Sequence, residues 1–197
     1  VAFIGIHTGT LGFLTDYQRD EYLQLVLDIQ NGQHRIYERH LLEVSCLEGI
    51  YFALNEVRIE NNRRSQVMDV YINDEYFETF RGNGLCVSTP VGSTAYNKSL
   101  GGAVINTCTG LMQLSEIAGI HHNAYRSLGS SLILDQSHTI RFQSQSYQGA
   151  ILGVDHLVID LKDKDCICVK MSSKKARFLQ YRNVSFTQRL KRAYLNS

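Results

Sequence analysis

The chain has 197 residues, 44% of them hydrophobic, enough for one sizeable core or for one domain and part of another. Its 20 Lys and Arg against 19 Asp and Glu leave a formal net charge of +1, which excludes the one-sided field that selects nucleic acid or an anionic membrane. No apolar run reaches the ~18 residues that cross a bilayer and nothing at the start reads as a signal peptide, so the expected location is the cytoplasm.

In chain order, VAFIGI at residues 1–6 reads as a buried strand running into the Gly-rich HTGTLGF, the usual start of an α/β unit. A domain rarely opens with a central strand already under way, so a preceding segment is expected. Residues 16–31 carry Tyr22, Leu25, Val26 and Ile29 at helical spacing, with Gly32 as the C-cap. Beyond Gly32 the pattern turns to strands at 35–47, 51–60, 66–72, 75–80 and 84–88, with Asn73-Asp74 as a hairpin turn. Residues 61–65 read as a polar, basic loop. Residues 89–102 are rich in Gly, Ser and Thr, and 110–120 as short and partly helical. Strands follow at 132–134, 139–143, 150–154, 156–161 and 167–171, and a helical, basic tail starts at Phe186. The five cysteines, Cys46, Cys86, Cys108, Cys166 and Cys168, lack a disulfide or zinc spacing and are expected to be small buried hydrophobes.

Chemistry concentrates in residues 81–102, RGNGLCVSTPVGSTAYNKSLGG, which hold five glycines and the only proline of the chain. Glycines let backbone approach a ligand, hydroxyls and amides bond ribose or an adenine edge, and Tyr96 offers a flat face. The segment has neither the order of a P-loop nor that of a GxGxxG turn. It is a nucleotide-sized polar site, or a long Gly/Ser loop without a ligand. Asn55-Glu56 ends the apolar stretch FALNE, where an acid can accept from two ribose hydroxyls or stand in solvent as a strand-end charge. Asp155-His156 is a possible base with its orienter, or a turn. His121 and His122, being adjacent, would point to opposite faces of a strand and share no metal.

The segments FIGIHTGTLGF, ALNEV, RGNGLCVSTPVGSTAYNKSLGGAV, MQLSEIAGI and GVDH, in this order, resemble the NAD kinase family, especially the enzymes of Gram-positive bacteria. The TPxGSTAYxxSxGG portion is the specific one, and the likeness covers essentially the whole chain. It implies the remnant of an N-terminal Rossmann-like α/β domain (residues 1–33), an all-β, sandwich-like NAD-binding domain (34–172), and a tail (173–197) returning to the first. It implies transfer of phosphate from ATP, or polyphosphate, to the adenosine ribose 2′-hydroxyl of NAD. A divalent metal such as Mg would accompany ATP, and the enzyme would be a homodimer or homotetramer with a site shared between subunits. Neither nucleic acid nor membrane is an expected partner.

By position, the resemblance implies that Asn55 and Glu56 hold the diphosphate-ribose region of NAD and that Thr94, Ala95 and Tyr96 line the pocket. Ser99 and Phe13 would lie near the nicotinamide and adenine ends, His156 beside the ribose, and Ala118 and Ile120 would come from a neighbouring subunit. Asn83 stands where the family usually has Asp, facing the nicotinamide carboxamide. Val91 replaces Thr or Ser, and Thr10 replaces His or Asn. The family's GGDGT motif, whose aspartate is taken as the catalytic base, would precede Val1, so no catalytic residue is expected within these residues. The alternatives are a non-catalytic nucleotide-binding module and, against the NE and GSTAY segments, a lipid or sphingoid kinase. Because positioned acid–base catalysis contributes ~10²–10⁴-fold, the 197-residue chain is expected to form NADP at no more than about a tenth of the rate of a chain carrying GGDGT, measured by a coupled NADP assay.

Overall fold

Strands are the commonest regular element of this chain, because period-2 patterning of apolar and polar residues buries one face of a sheet. A computed structural model describes residues 1–9, 13–123 and 126–195; the Thr10 departure lies outside the described residues. The elements are β1 (Ile6–His7), β2 (Tyr17–Gln18), α1 (Tyr22–Asn31), β3 (Arg35–Cys46), β4 (Gly49–Ala53), β5 (Glu56–Glu60), β6 (Gln66–Ile72), β7 (Glu75–Gly82) and β8 (Gly84–Ser88). They continue with α2 (Tyr96–Ser99), β9 (Leu111–Ile117), β10 (Leu132–Asp135), β11 (Thr139–Gln143), β12 (Ile151–Val154), β13 (Leu157–Asp160), β14 (Cys166–Gln180) and α3 (Phe186–Tyr194). Residues 40–174 form one compact unit, and residues 1–39 with 175–197 form another.

The 40–174 unit is built on two antiparallel six-stranded sheets, ordered β10-β9-β8-β5-β12-β13 and β4-β3-β14-β11-β6-β7. Their inward residues meet in one core: Val57, Ile59, Leu85, Val87, Met112 and Leu152 from the first sheet, Leu42, Met68, Phe80, Phe142 and Ile167 from the second. This is the sandwich-like domain that the resemblance implied, with strands such as β5 and β6 contributing alternate residues to the interior. Asn73 and Asp74 join β6 to β7 with φ of 51° and 65°, the left-handed pair that a two-residue hairpin turn demands. Asn61, fully buried, accepts the backbone N–H groups of Arg63 and Arg64 on Oδ1 and so shapes the loop expected to be merely solvated.

In the other unit, β1 and β2 pair in parallel and Phe3 bridges to Phe178. Gly32 caps α1 at φ 70°, its N–H reaching the Ile29 carbonyl. Ser185 caps α3 by receiving the Gln188 N–H at 3.2 Å, while the Gln188 side chain accepts the Ser185 N–H at 2.8 Å. From α3, the buried Arg189 pairs with Asp16 and Arg192 donates to the Thr15 carbonyl at 2.7 Å.

Several expectations change. Residues 1–6 are not a continuous buried strand: Val1, Phe3 and Ile6 are exposed, and pairing is confined to the Phe3–Phe178 bridge and the two-residue strand Ile6–His7. Apolar composition alone does not supply the neighbouring strands that burial on both faces requires. The helix expected from residue 16 begins at Tyr22, because Tyr17 and Gln18 are drawn into β2 and residues 19–21 form a 3-10 turn. Residues 111–117 are strand, not helix; pairing with β8 and β10 on its two sides overrides local preference. Only Cys86 of the five cysteines is buried, since Cys108 and Cys166 are exposed and Cys46 and Cys168 partly so.

Glycine at position 84 is a packing requirement, since a Cβ there would overlap the Ile59 carbonyl oxygen and the Glu60 Cα across the β5–β8 ladder. Gly84→Ala is expected to lower stability by about 3 kcal/mol, read from urea unfolding, as strand separation is the only relief.

Candidate functional site

The expected strand over 51–60 breaks at Leu54 and Asn55, where the chain leaves one sheet as β4 and enters the other as β5. The break leaves three consecutive backbone N–H groups without ladder partners, and a single carboxylate takes all of them. Asp155 accepts from Leu54 N at 2.7 Å on Oδ2, and from Asn55 N at 2.9 Å and Glu56 N at 3.1 Å on Oδ1. Asp155 sits in the two-residue turn between β12 and β13 at φ 51°, a conformation Asp tolerates better than most side chains. Of the two readings of Asp155-His156, base with orienter or turn, the structure shows the turn: the carboxylate is engaged by backbone, and the exposed His156 is the second residue of the turn.

The Gly-rich segment locks onto the same break. Thr89 receives Gly92 N–H on its hydroxyl oxygen, donates that hydroxyl to the Leu54 carbonyl at 2.6 Å, and donates its own N–H to the Asn55 carbonyl at 2.8 Å. Any Cβ at position 92 would overlap the Asn55 carbonyl, so the close approach needs glycine. Ser93 donates to the Pro90 carbonyl, and the buried Asn97 accepts from Ser115 at 2.8 Å. These hydroxyls and amides, expected to face a ligand, instead hold the segment itself. Thr94 is buried and bonds the Val91 carbonyl; Val91, also buried, sits where a hydroxyl was expected. Ala95 is partly buried and Ser99 exposed.

Three buried polar atoms on one sheet face have no protein partner: Glu56 Oε2, Arg58 Nε and Ser88 Oγ. Glu56 and Arg58 share the outward face of β5, and Ser88 is the register partner of Glu56 on β8. Arg58 lies 5.3 Å beneath the ring of Tyr96 and 3.4 Å from Glu60. Burial, and then the charge of Asp155, push the Glu56 carboxyl up to about 6, against the pull of Arg58. Buried polar atoms grouped with one unmet acceptor, one hydroxyl and one N–H mark a place where a polar ligand completes the bonding.

Asn55, Glu56, Thr94, Ala95, Tyr96 and His156 are thus gathered around one end of β5. Asn83, Ala118 and Ile120 are not: Asn83 donates to the Asn61 carbonyl at 3.2 Å, and its N–H bonds the Ile117 carbonyl, at the far end of the β5–β8 pair. That end lies about 13 Å from Glu56 at the strand rise per residue. Ala118 is left-handed at φ 46° and exposed, and Ile120 donates its N–H to Arg81 at 2.7 Å. Glu116 fastens this corner, pairing with His121 at 3.0 Å and accepting Gly129 N–H at 3.1 Å. Asn83 has no positive φ, and its amide serves as a donor within the fold. Phe13 belongs to the other unit, packed edge-on against Phe186 at 5.8 Å.

Sequence reasoning missed Asp155 as the anchor of the break, and Arg58 and Ser88 as neighbours of Glu56. Strand alternation from Glu56 would have found Arg58; Ser88 needed the register. Among the described residues no group of three or more His, Cys, Asp or Glu is placed to hold a metal ion.

A β-sandwich whose sheet-crossing supports a buried carboxylate beside a Gly-rich, aromatic-bearing segment defines a nucleotide-handling β domain. Its identity follows from similarity: the ATP-NAD kinase C-terminal domain profile matches residues 54–181. NAD kinases of Staphylococcus aureus strains JH9 and Newman are 38% identical over 204 aligned residues, covering 100% of this chain and 76% of theirs. Yeast NADH kinase complexed with NADH superposes with a TM-score of 0.80 at 23% identity, over 94% of this chain and 55% of that one. An NAD kinase from Archaeoglobus fulgidus in complex with ATP gives 0.73 at 21%, over 92% and 69%. The chain belongs to the NAD kinase family.

Asp155→Ala is expected to lower stability by about 3 kcal/mol, because three backbone donors lose a charged acceptor; urea unfolding reads it. Asn83→Asp is expected to lose about 1 kcal/mol at pH 8, where a carboxylate faces the Asn61 carbonyl without a proton to donate. The deficit should shrink toward pH 4 as that carboxyl regains its proton, which melting curves at both pH values would show.

Proposed function

We propose that this chain supplies the NAD-binding part of an enzyme that phosphorylates the adenosine ribose 2′-hydroxyl of NAD to give NADP. In that transfer the 2′-oxygen bonds the terminal phosphorus of ATP or polyphosphate, the bond from that phosphorus to its bridging oxygen breaks, and the hydroxyl proton passes to a base. The base in this proposal is the aspartate of a GGDGT motif. Support comes from the family relation and from relatives described in complex with NADH and with ATP.

The observation that carries the reading is the free, buried Oε2 of Glu56 beside the free hydroxyl of Ser88. An ionised Glu56 accepts a ribose hydroxyl, and Ser88 and Arg58 offer donors beside it. Tyr96 covers this face with its ring, and Asn55 borders it. Asn83 at the far end of the strands would bond the carboxamide through its amide oxygen, and His156, Thr94, Ala95 and Ser99 would complete the pocket. Ala118 and Ile120, being exposed on that far corner, suit a role toward a second subunit's site, in a homodimer or homotetramer. Mg entering with ATP finds no cage of ligands among the described residues, so none of them is assigned to it. No helix among the described residues is long and apolar enough to cross a membrane, and a cytoplasmic location is proposed.

Glu56 links binding to stability. Its carboxyl ordinarily titrates at 4.5 and in the fold near 6, so the folded state retains the proton over that interval. Stability from this group is therefore full below 4.5 and falls as pH rises through 6. Glu56→Gln is expected to remove that slope and to gain about 2 kcal/mol at pH 8, while NAD binding weakens by about 1.5–3 kcal/mol. Calorimetric titration with NAD beside thermal melts tests both; unchanged affinity in a well-folded variant would reject the role of Glu56.

A further inference from the structure

Arg58 is held more closely than a surface arginine needs to be. Its register partners are Gly153 on β12 and Cys86 on β8, one bare and one small. A Cβ added at Gly153 would stand 3.0 Å from Arg58 Nη2, 3.2 Å from Nε and 3.3 Å from Cζ, so the absent side chain is the seat of the guanidinium. Gly153 has no left-handed φ, which leaves clearance as the reason for glycine there. The Tyr96 ring closes the other side at 5.3 Å, and Glu60 fixes the head group at 3.4 Å. Glu56 stands two residues back on the same strand face.

We infer that Arg58 is a positioning residue of this site: seated over Gly153, it braces the ring of Tyr96 and holds a positive charge beside Glu56. The inference rests on the reading of this face as the NAD site, and it deepens that reading. Ionised, Glu56 accepts ribose hydroxyls on both oxygens and with its charge, and burial opposes ionisation. The charged and titratable groups facing it are Arg58 and Glu60 on its own strand, Cys86 on β8, Asp155 in the β12–β13 turn and Tyr96 on α2. Among the described residues facing Glu56, the cation is Arg58; Asp155 and Glu60 act against it. The same guanidinium sets the ring on which a base or ribose of the ligand would rest, so charge and shape at the site depend on one side chain.

The test follows the carboxyl-carbon NMR signal of Glu56 across pH in the 197-residue chain, assigned through Glu56→Gln, with NAD calorimetry at pH 6 and pH 8. Arg58→Met is expected to raise the Glu56 midpoint by about one pH unit, the usual effect of one adjacent charge. Its loss of NAD affinity should be about fivefold larger at pH 6 than at pH 8, the ratio of ionised fractions that such a shift produces. Arg58→Lys returns the charge and should restore the midpoint. Gly153→Ala, which displaces the guanidinium without removing it, should move the midpoint in the same direction as Arg58→Met. An unmoved midpoint in both Arg58→Met and Gly153→Ala overturns the inference. A midpoint that rises with flat NAD affinity at both pH values keeps the coupling of Arg58 to Glu56 and overturns the assignment of this face to NAD.

Discussion

Three backbone N–H groups bonded to one carboxylate hold the proposed NAD-binding face of this protein in place. At Leu54–Glu56 the chain leaves one sheet for the other, and a crossing of that kind strands donors that a continuous ladder would satisfy. Asp155 answers from a turn about a hundred residues later in sequence, so the start of β5 and the β12–β13 turn are fixed to one another. The carbonyls at the same crossing face the other way and receive the Gly-rich segment through Thr89. Glu56 therefore has a rigid backbone on both sides before any ligand arrives, and the Asp155 charge that secures it also makes its ionisation harder.

That opposition explains the division of labour among the polar residues. Thr89, Ser93 and Asn97 bond backbone or buried partners within the segment and its neighbours. They build the wall. Glu56, Arg58 and Ser88 each keep one buried polar atom unmatched, at the expense of stability. Their grouping on one sheet face, on β5 and β8, is what supports the proposed ligand site.

The glycines of the region act mainly through clearance. Gly84 and Gly92 admit carbonyl oxygens, and Gly153 admits a guanidinium. A Gly-rich stretch read along the chain suggests flexibility or a phosphate cradle; here the missing Cβ atoms let strands, turns and an arginine approach closely enough for the rest of the hydrogen bonding to form.

By itself the sequence determined the run of strands, because inward alternation in β5, β6, β11 and β14 is a local property of period 2, and it determined the Asn73-Asp74 turn and the Gly32 cap, which are local too. It also located the family through the TPxGSTAYxxSxGG spacing and singled out Asn55, Glu56 and Tyr96. Only the tertiary structure decided that residues 111–117 are strand, since that choice rests on neighbours supplied by β8 and β10. It alone separated Glu56 from Asn83 by the length of β5, and turned Asp155 from a partner of His156 into an anchor for backbone. It alone placed Arg58 between Gly153 and Tyr96. Pattern along a chain reports which face a residue takes, whereas register across strands far apart in sequence decides which residues on that face meet.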